Sequence, residues 1–407
     1  MAKYSRSVAL LAGIVYFTQG ALGIISVTLP VYLRKLGWSV GEITEVLAIS
    51  SFPWVLKILY GLLSDCFPLF SYRRKSYLLV FAVISFLGWL SLILLPTQKI
   101  FIICSLMLSN FGFAATDVVT DGYIVENSRG VSSHIYQSIA WGTRSFGAIV
   151  SGVTGGWLSA HWHPKDVFMV AGALPLIVVP VTLLLREPRY EHGLFHSVIA
   201  PFKLCLEKLT IGNIRWFLLL LLISQVSACF GTPFFFHMKE QMGFQETFLG
   251  TLISLGWMGA LISSVVYAKW FIRFSPKTVL SWAFLINAAN ILSTVFIRER
   301  ISALIFVFLG GVMACMTILP MMSVAAILTR RSGVEGTLFA VLMSVHNLAQ
   351  IAFGFLGGKF YNLVGLYTLI YLSGVISLIG MWVVQKLDFK DAETWNSARE
   401  KDESPTV

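Results

Sequence analysis

The sequence predicts an all-α integral membrane protein, with twelve transmembrane helices in two six-helix pseudo-symmetric bundles and both termini in the cytoplasm. Three observations lead there. Of 407 residues, 57% are hydrophobic and only 12% charged, against about 25% charged in a soluble chain; mean hydropathy is +0.78. Apolar runs of the ~20 residues needed to cross a bilayer recur from end to end. Lys and Arg collect in alternate connections between the runs, as they do in cytoplasmic loops.

The first run, 7–33, follows a short basic tail with Lys3 and Arg6. It exceeds the ~7–15 residues of a signal-peptide core and precedes no small-x-small cleavage site, so it reads as a retained helix. The second, 41–64, ends at Gly61 and Asp65; the charges Arg73-Arg74-Lys75 then open the third, 76–96. The fourth, 99–127, begins at Lys99, and the fifth, 134–160, follows Arg129. The sixth, 167–186, ends at Arg186. A polar connection near 187–213 precedes the seventh, 214–238, which carries Gly231-Thr232-Pro233. The eighth, 246–272, ends among Lys269 and Arg273, and the ninth, 277–297, lies between Lys277 and Arg298. The tenth, 301–329, lies between Arg300 and Arg330. The eleventh, 333–359, ends at Lys359, and the twelfth, 364–386, at Lys386. The expected organisation is a bundle over 1–190, a central cytoplasmic loop over 191–213, a second bundle over 214–386 and a disordered cytoplasmic tail over 387–407.

With the N-terminus inside, the inner segments hold 20 Lys and Arg and the outer ones 8. That bias supports an even number of spans. It also accounts for the net charge of +10 without any nucleic-acid partner. The cysteines Cys66, Cys104, Cys205, Cys229 and Cys315 form no C-x-x-C pair and no metal spacing, so neither metal nor cofactor is expected. Neither H-E-x-x-H nor G-x-S-x-G occurs, which speaks against an enzyme.

Two stretches repeat at an offset of 202 residues. Arg144 to Gly156 reads R-S-F-G-A-I-V-S-G-V-T-G-G, and His346 to Gly358 reads H-N-L-A-Q-I-A-F-G-F-L-G-G. Gly152, Gly155 and Gly156 fall on Gly354, Gly357 and Gly358, and Arg144 falls on His346. Repeated halves about a membrane-normal axis are a transporter architecture.

Lys57, Asp117, Asp121 and Arg144 interrupt apolar runs of the first half. A charge near the bilayer centre costs at least ~2.5–3.5 kcal/mol on insertion scales, so such residues pair, face water or handle a substrate. Asp117 and Asp121 stand at i, i+4 on one helix face, where like charges favour protonating one or placing cations nearby. At 1.5 Å per residue from the inner ends, Asp117 lies ~16 Å deep, Arg144 ~15 Å, Lys57 ~12 Å and Asp121 ~10 Å. The depths predict two ion pairs, Arg144 with Asp117 and Lys57 with Asp121, in the inner half of an aqueous cavity. A purely structural network tying helices two, four and five together would use the same charges.

A second cluster occupies the first inner loop: Gly61-Leu62-Leu63-Ser64-Asp65, then Tyr72-Arg73-Arg74-Lys75. Gly61 is expected to allow close helix approach. Asp65 is expected to meet basic residues or a helix N-terminus. Glu126 and Arg129 are candidates to join it. The cluster resembles the G-x-L-a-D signature of the major facilitator superfamily, which implies that fold and a cytoplasmic latch closing the inner gate.

Phe52-Pro53-Trp54 through Lys57 to Asp65, then Phe67-Pro68 through Tyr72-Arg73-Arg74 to Tyr77, looks like the folate–biopterin transporter family. Its members carry P-W-x-x-K-P-L-Y-G-x-x-S-D and F-P-I-x-G-Y-R-R-R-x-Y. Asp117 through Asp121 to Glu126 is similar to that family's helix 4 block. Ser138 to Ser145, with Trp141, Gly142 and Arg144, resembles its helix 5 block. Ile58 stands where the family has proline, and Ser71 where it has glycine. The resemblance covers about the first 190 residues well and the rest only in hydropathy. It implies a secondary active transporter, a symporter of folates, pteridines or another nucleoside-like solute.

Gln19, Asn287, Asn290, His346, Asn347 and Gln350 are polar in apolar surroundings and need partners. Gln19, His346 and Asn347 join Lys57, Asp117, Asp121 and Arg144 as candidate substrate- or ion-binding residues; His346 titrates near neutral pH. Phe234-Phe235-Phe236-His237 follows Pro233, where a disrupted helix can flex at an outer gate. The implied mechanism is alternating access. An Asp would accept from a pterin ring, Arg144 or Lys57 would pair with a carboxylate, and protonating one Asp would couple transport to protons. The site should be lopsided, with ions on the first half and mostly neutral groups on the second. Expected partners are a small-molecule substrate, the lipid bilayer and protons, for a monomer in the inner or plasma membrane. S-adenosylmethionine-like, muropeptide or acetyl-CoA solutes fit the same fold. A transport-dead receptor or scaffold is the alternative from another class.

Overall fold

Long apolar runs without period-two alternation can satisfy their backbone in lipid only as helices. The computed structural model describes residues 5–127, 131–189, 203–204, 207–210, 212–270, 274–329 and 335–388. Among these there is no strand, only an isolated bridge between Leu69 and Tyr72. Arg129, most of the central loop and the tail beyond 388 lie outside the described residues.

The helical stretches of the first half are α1 (Arg6–Lys35), α2 (Val40–Cys66), α3 (Lys75–Leu94), α4 (Lys99–Glu126), α5 (Val131–His161) and α6 (Pro164–Leu183). Those of the second are α7 (Gly212–Gln241), α8 (Glu246–Trp270), α9 (Pro276–Phe296), α10 (Arg300–Thr329) and α11 (Glu335–Val384). Among the described residues ten stretches have the length and hydropathy to cross a membrane, so the chain is a multi-pass membrane protein. The 31-residue α5 is outside that set. At Gly365, φ 76° and ψ 169° break α11 into two arms, 335–364 and 366–384. Positive φ is open to glycine without a Cβ clash.

Leu11, Phe81, Ala115 and Val178, from α1, α3, α4 and α6, belong to one apolar core. Phe217, Phe284, Met321, Leu342 and Val383, from α7, α9, α10 and both arms of α11, belong to another. Phe146, Val265, Leu372 and Trp382 remain exposed, as a lipid-facing surface requires.

The 202-residue repeat is structural. Gly152 and Gly156 of α5 press on Ser254 and Gly250 of α8, while Gly354 and Gly358 of α11 press on Ala48 and Gly41 of α2. A Cβ on Gly156 would lie 2.8 Å from the Gly250 Cα, and one on Gly358 would lie 2.6 Å from the Gly41 carbonyl. Such contacts leave room for glycine alone. The same offset relates two lysines that close helix ends. Lys75 Nζ donates to the carbonyls of Leu183 and Leu185 at 2.8 and 3.4 Å. Lys277 Nζ donates to those of Gln385 and Leu387 at 3.1 and 3.3 Å. Both α1 and α7 are interrupted by 3-10 turns, at Leu22–Ile24 and Val226–Cys229.

Among the described residues, ionic contacts between the halves gather at one end. Arg34 of α1 grips Glu240 of α7 through two bonds, 2.6 and 3.1 Å. Glu246 of α8 accepts from Ser159 of α5 and pairs with Lys239 at 2.8 Å. Lys359 pairs with Glu45 at 3.5 Å. At the opposite end, the partners of Arg74 all belong to the first half.

Candidate functional site

Helix α2 does not run straight through the bilayer. Pro53 opens a 3-10 segment, Phe52–Leu56, and a new α-helical piece starts at Lys57. Proline has no N–H for an i to i−4 bond, and the 3-10 geometry absorbs that loss. Residue 58 falls in the first turn of the new piece, where proline is tolerated, so Ile58 continues the helix in its place.

Lys57 Nζ meets Asp117 Oδ2 at 2.6 Å. Asp117 Oδ1 accepts from Gln19 Nε2 at 2.6 Å. Asp121 Oδ1 accepts from the Tyr16 hydroxyl at 2.5 Å. Tyr16 and Gln19 stand at i, i+3 on α1 and so face the acidic pair on α4. Asp117 is 4% exposed. Removing one partner of so buried a pair typically costs ~3–5 kcal/mol. Beneath the ammonium lies the Trp54 ring, 5.0 Å from Nζ to centroid. The Trp54 indole donates to Asn110 Oδ1 at 2.8 Å.

The predicted pairing is therefore corrected: Lys57 takes Asp117, not Asp121. Depth counting resolves level but not reach. The four-carbon stem of lysine easily spans the ~4 Å between the two levels. Arg144 pairs with neither aspartate; its guanidinium lies 5.3 Å over the Trp141 ring, one turn away on α5. Among the described residues no carboxylate forms an ion pair with Arg144, and no cation forms one with Asp121. A Cβ at Gly20 would strike the Arg144 carbonyl, so α1 and α5 touch there and bring Gln19 and Arg144 to one level.

The second half contributes neutral groups. Asn347 Nδ2 donates to the Trp54 carbonyl at 3.0 Å, and His346 has a buried Nδ1 without a partner. Asn287 serves as helix-to-helix glue, donating to Ser377 at 3.0 Å. At the 202-residue offset, Tyr16, Gln19, Lys57, Asp117 and Asp121 face Leu218, Leu221, Gly259, Leu319 and Ser323. These counterparts carry no charge.

The loop cluster centres on Arg74, whose side chain is 5% exposed. It meets Asp65 at 2.5 Å and Glu126 at 2.7 Å, and donates to the Ser64 hydroxyl at 2.5 Å. Burial opposes its charge, but Glu126 and Asp65 outweigh burial and raise its pKa. Arg73 approaches Asp65 at 3.5 Å. The expectation for Gly61 is corrected: a Cβ there would meet Val118 Cγ1 at an ordinary 3.6 Å. The demanding glycine is Gly122 on α4, where a Cβ would lie 2.7 Å from Arg74 Cζ.

Glu187, absent from the sequence-based candidates, locks this loop. Its Oε1 accepts from the backbone N–H of Arg73 and Arg74 at 2.8 and 2.9 Å, and its Oε2 from Lys75 at 2.8 Å. An acidic group there caps the N-terminus of α3 and favours its dipole. Between α2 and α3, Phe70 and Ser71 hold φ 51° and 67°. A left-handed conformation costs a non-glycine residue ~1–2 kcal/mol, which accounts for glycine as the usual residue at position 71.

The sequence pattern of the BT1 family matches residues 19–379. A folate-biopterin transporter of Synechocystis is 27% identical over 352 residues, spanning 83% of this chain and 71% of that protein. A probable folate-biopterin transporter 4 of Arabidopsis thaliana is 22% identical, over 87% of this chain and 88% of its own. Folate transporter 1 of Plasmodium falciparum is 22% identical, over 87% and 75%. The crystal structure of the nucleoside transporter NupG superposes with TM-score 0.72 at 15% identity, covering 93% of this chain and 98% of that one. A POT family transporter in complex with a peptide conjugate gives 0.72 at 12% identity, over 93% and 94%. At these identities the structural likeness speaks for the fold alone.

Proposed function

We propose that this chain, which belongs to the BT1 family, moves a folate- or pteridine-like solute across the membrane by alternating access. Relatives named as folate-biopterin and folate transporters support the solute class. The observation that carries the reading is the imbalance of the site. Asp117 already neutralises Lys57, whereas Arg144 holds no carboxylate and rests on Trp141. A guanidinium so placed suits a substrate carboxylate, which it can grip bidentately. Asp117 and Gln19 offer acceptors for the amine and amide donors of a pterin ring. Asp121, the aspartate without a cation, is the proposed proton carrier.

Counting α5 and both arms of α11 separately makes twelve spans, in six and six, with both termini cytoplasmic. The Arg74 end is then the cytoplasmic end. The Arg34–Glu240 and Ser159–Glu246 contacts close the outer side. Asp65, Arg74 and Glu126, braced by Glu187, make the inner latch. The protein works as a monomer in the inner or plasma membrane, and no residue is assigned covalent chemistry.

The test is uptake of labelled folic acid and of an unconjugated pterin by the wild type, Asp117→Asn and Arg144→Gln at matched surface expression. Both variants should lose folic acid uptake, and Asp117→Asn that of the pterin as well. Normal uptake by both would reject the reading. A rate independent of pH and insensitive to an uncoupler would reject proton coupling.

A further inference from the structure

Asn347 lies on the second half, yet its amide reaches the Trp54 carbonyl of the first, 3.0 Å away and 293 residues earlier in the chain. The ionic contacts between the halves named above lie at the Arg34 end, whereas Asn347 and Trp54 stand near the middle of α11's first arm and of α2. Trp54 sits in the 3-10 segment that ends one residue before Lys57. Its ring carries the Lys57 ammonium at 5.0 Å, and its indole is fixed from the same half by Asn110 at 2.8 Å. Lys57 holds Asp117, and Asp117 holds Gln19. One unbroken chain of contacts thus runs from the second half into the charged site.

A 3-10 segment has poorer hydrogen-bond geometry than an α-helix and often marks a hinge. It is pinned at two adjacent carbonyls: that of Pro53 accepts from Tyr60 at 2.9 Å, and that of Trp54 from Asn347. Relative movement of the halves therefore pulls on the backbone that sets where Lys57 stands. At the 202-residue offset the counterparts of Trp54 and Asn347 are Gly256 and Ser145, which offer neither ring nor amide. Across the corresponding α5–α8 contact the halves share a different bond, from the Ser254 hydroxyl to the Ile149 carbonyl at 2.5 Å, which reaches no charged pair.

We propose that Asn347 is a positioning residue that transmits the rocking of the halves to the Lys57–Asp117 pair through Trp54. The inference rests on the transport reading above, but half of its test does not. The first arm measures melting temperatures without substrate, for Asn347→Leu in the wild type and in a Lys57→Met/Asp117→Asn background. That background removes both charges together, so neither is left buried without its partner. Asn347 touches neither charged residue, so independent sites would give additive losses. The melting loss from Asn347→Leu should shrink to less than half in the charge-free background. Equal losses in the two backgrounds would overturn the proposal.

The second arm measures folic acid uptake and binding for Asn347→Leu. The maximal rate should fall at least tenfold, with the dissociation constant changed less than threefold. A tenfold weaker dissociation constant with an unchanged rate would make Asn347 a substrate contact and overturn the positioning role. If Asn347→Leu does not fold, Asn347→Ser carries both arms with the same criteria. If neither variant folds, Asn110→Leu, which frees the Trp54 indole from the other side, must show the same split or the proposal fails. Absence of folic acid uptake by the wild type would refute the functional reading alone, and the melting cycle would still decide this one.

Discussion

Placing a methyl group on Gly122 forces a choice on Arg74. The added Cβ would lie 2.7 Å from Cζ, 2.8 Å from Nη1 and 3.0 Å from Nη2. An exposed arginine would swing aside at little cost. This one cannot do so freely, because Asp65, Glu126 and Ser64 hold its guanidinium at 2.5–2.7 Å. Overpacking of a filled site costs ~1–3 kcal/mol. For a domain about the size of one half, ~2–4 °C of melting temperature is lost per kcal/mol, so Gly122→Ala should melt ~2–12 °C below wild type. Gly61→Ala is the control, since its Cβ meets only Val118 Cγ1 at 3.6 Å; it should melt within about a degree of wild type. The assay is thermal unfolding of purified protein in one detergent for wild type and both variants. Equal melting of Gly122→Ala and Gly61→Ala would refute the account of the latch.

Glu187→Ala removes three backbone caps at the start of α3 and should cost at least the ~0.5–2 kcal/mol of an ordinary cap; thermal unfolding checks it, and Glu187→Gln should recover part of the loss. Arg34→Glu and Glu240→Arg should each loosen the outer end. The pair is about 40% exposed, so only ~0.2–1 kcal/mol is expected. Maleimide labelling of a cysteine introduced on the outer side should rise a few-fold at most in each single variant and return toward wild type in the double swap. Asp121→Asn should flatten the pH dependence of uptake, measured across pH 5 to 8, while a wild-type profile would remove Asp121 as the proton carrier.

Much of the site was legible because a charge inside an apolar run has few reasons to be there. Lys57, Asp117, Asp121 and Arg144 stand out on that ground and Gln19 as a polar amide among apolar residues, and Asp117, Lys57 and Gln19 do meet. Pairing was not legible, because counting rise along a helix gives level and not direction. The long stem of Lys57 and the ring of Trp141 decided which cation went where. Tyr16 escaped notice as one aromatic among many, although its i, i+3 spacing from Gln19 placed it on the right face. Glu187 carries no signal in the sequence, because only the fold brings it to the start of α3. The tight contact in the loop signature was assigned to Gly61, whereas Gly122, on the neighbouring helix, makes it. The glycine repeat was readable for a simple reason: backbone contact leaves glycine as the one residue that fits at Gly152 and Gly156 against α8 and at Gly358 against α2.

The central claim is that Arg144 receives the negative end of the substrate while Asp117 and Gln19 receive the ring. It is tested most directly by comparing uptake of folic acid with that of a pteridine lacking carboxylates, in wild type and Arg144→Gln. Loss of a charge-assisted hydrogen bond is worth ~1.5–3 kcal/mol, or ~10- to 150-fold. Arg144→Gln should cut folic acid uptake by that factor and leave the neutral pteridine within about threefold of wild type. Equal loss for both substrates, or loss for neither, would contradict the account.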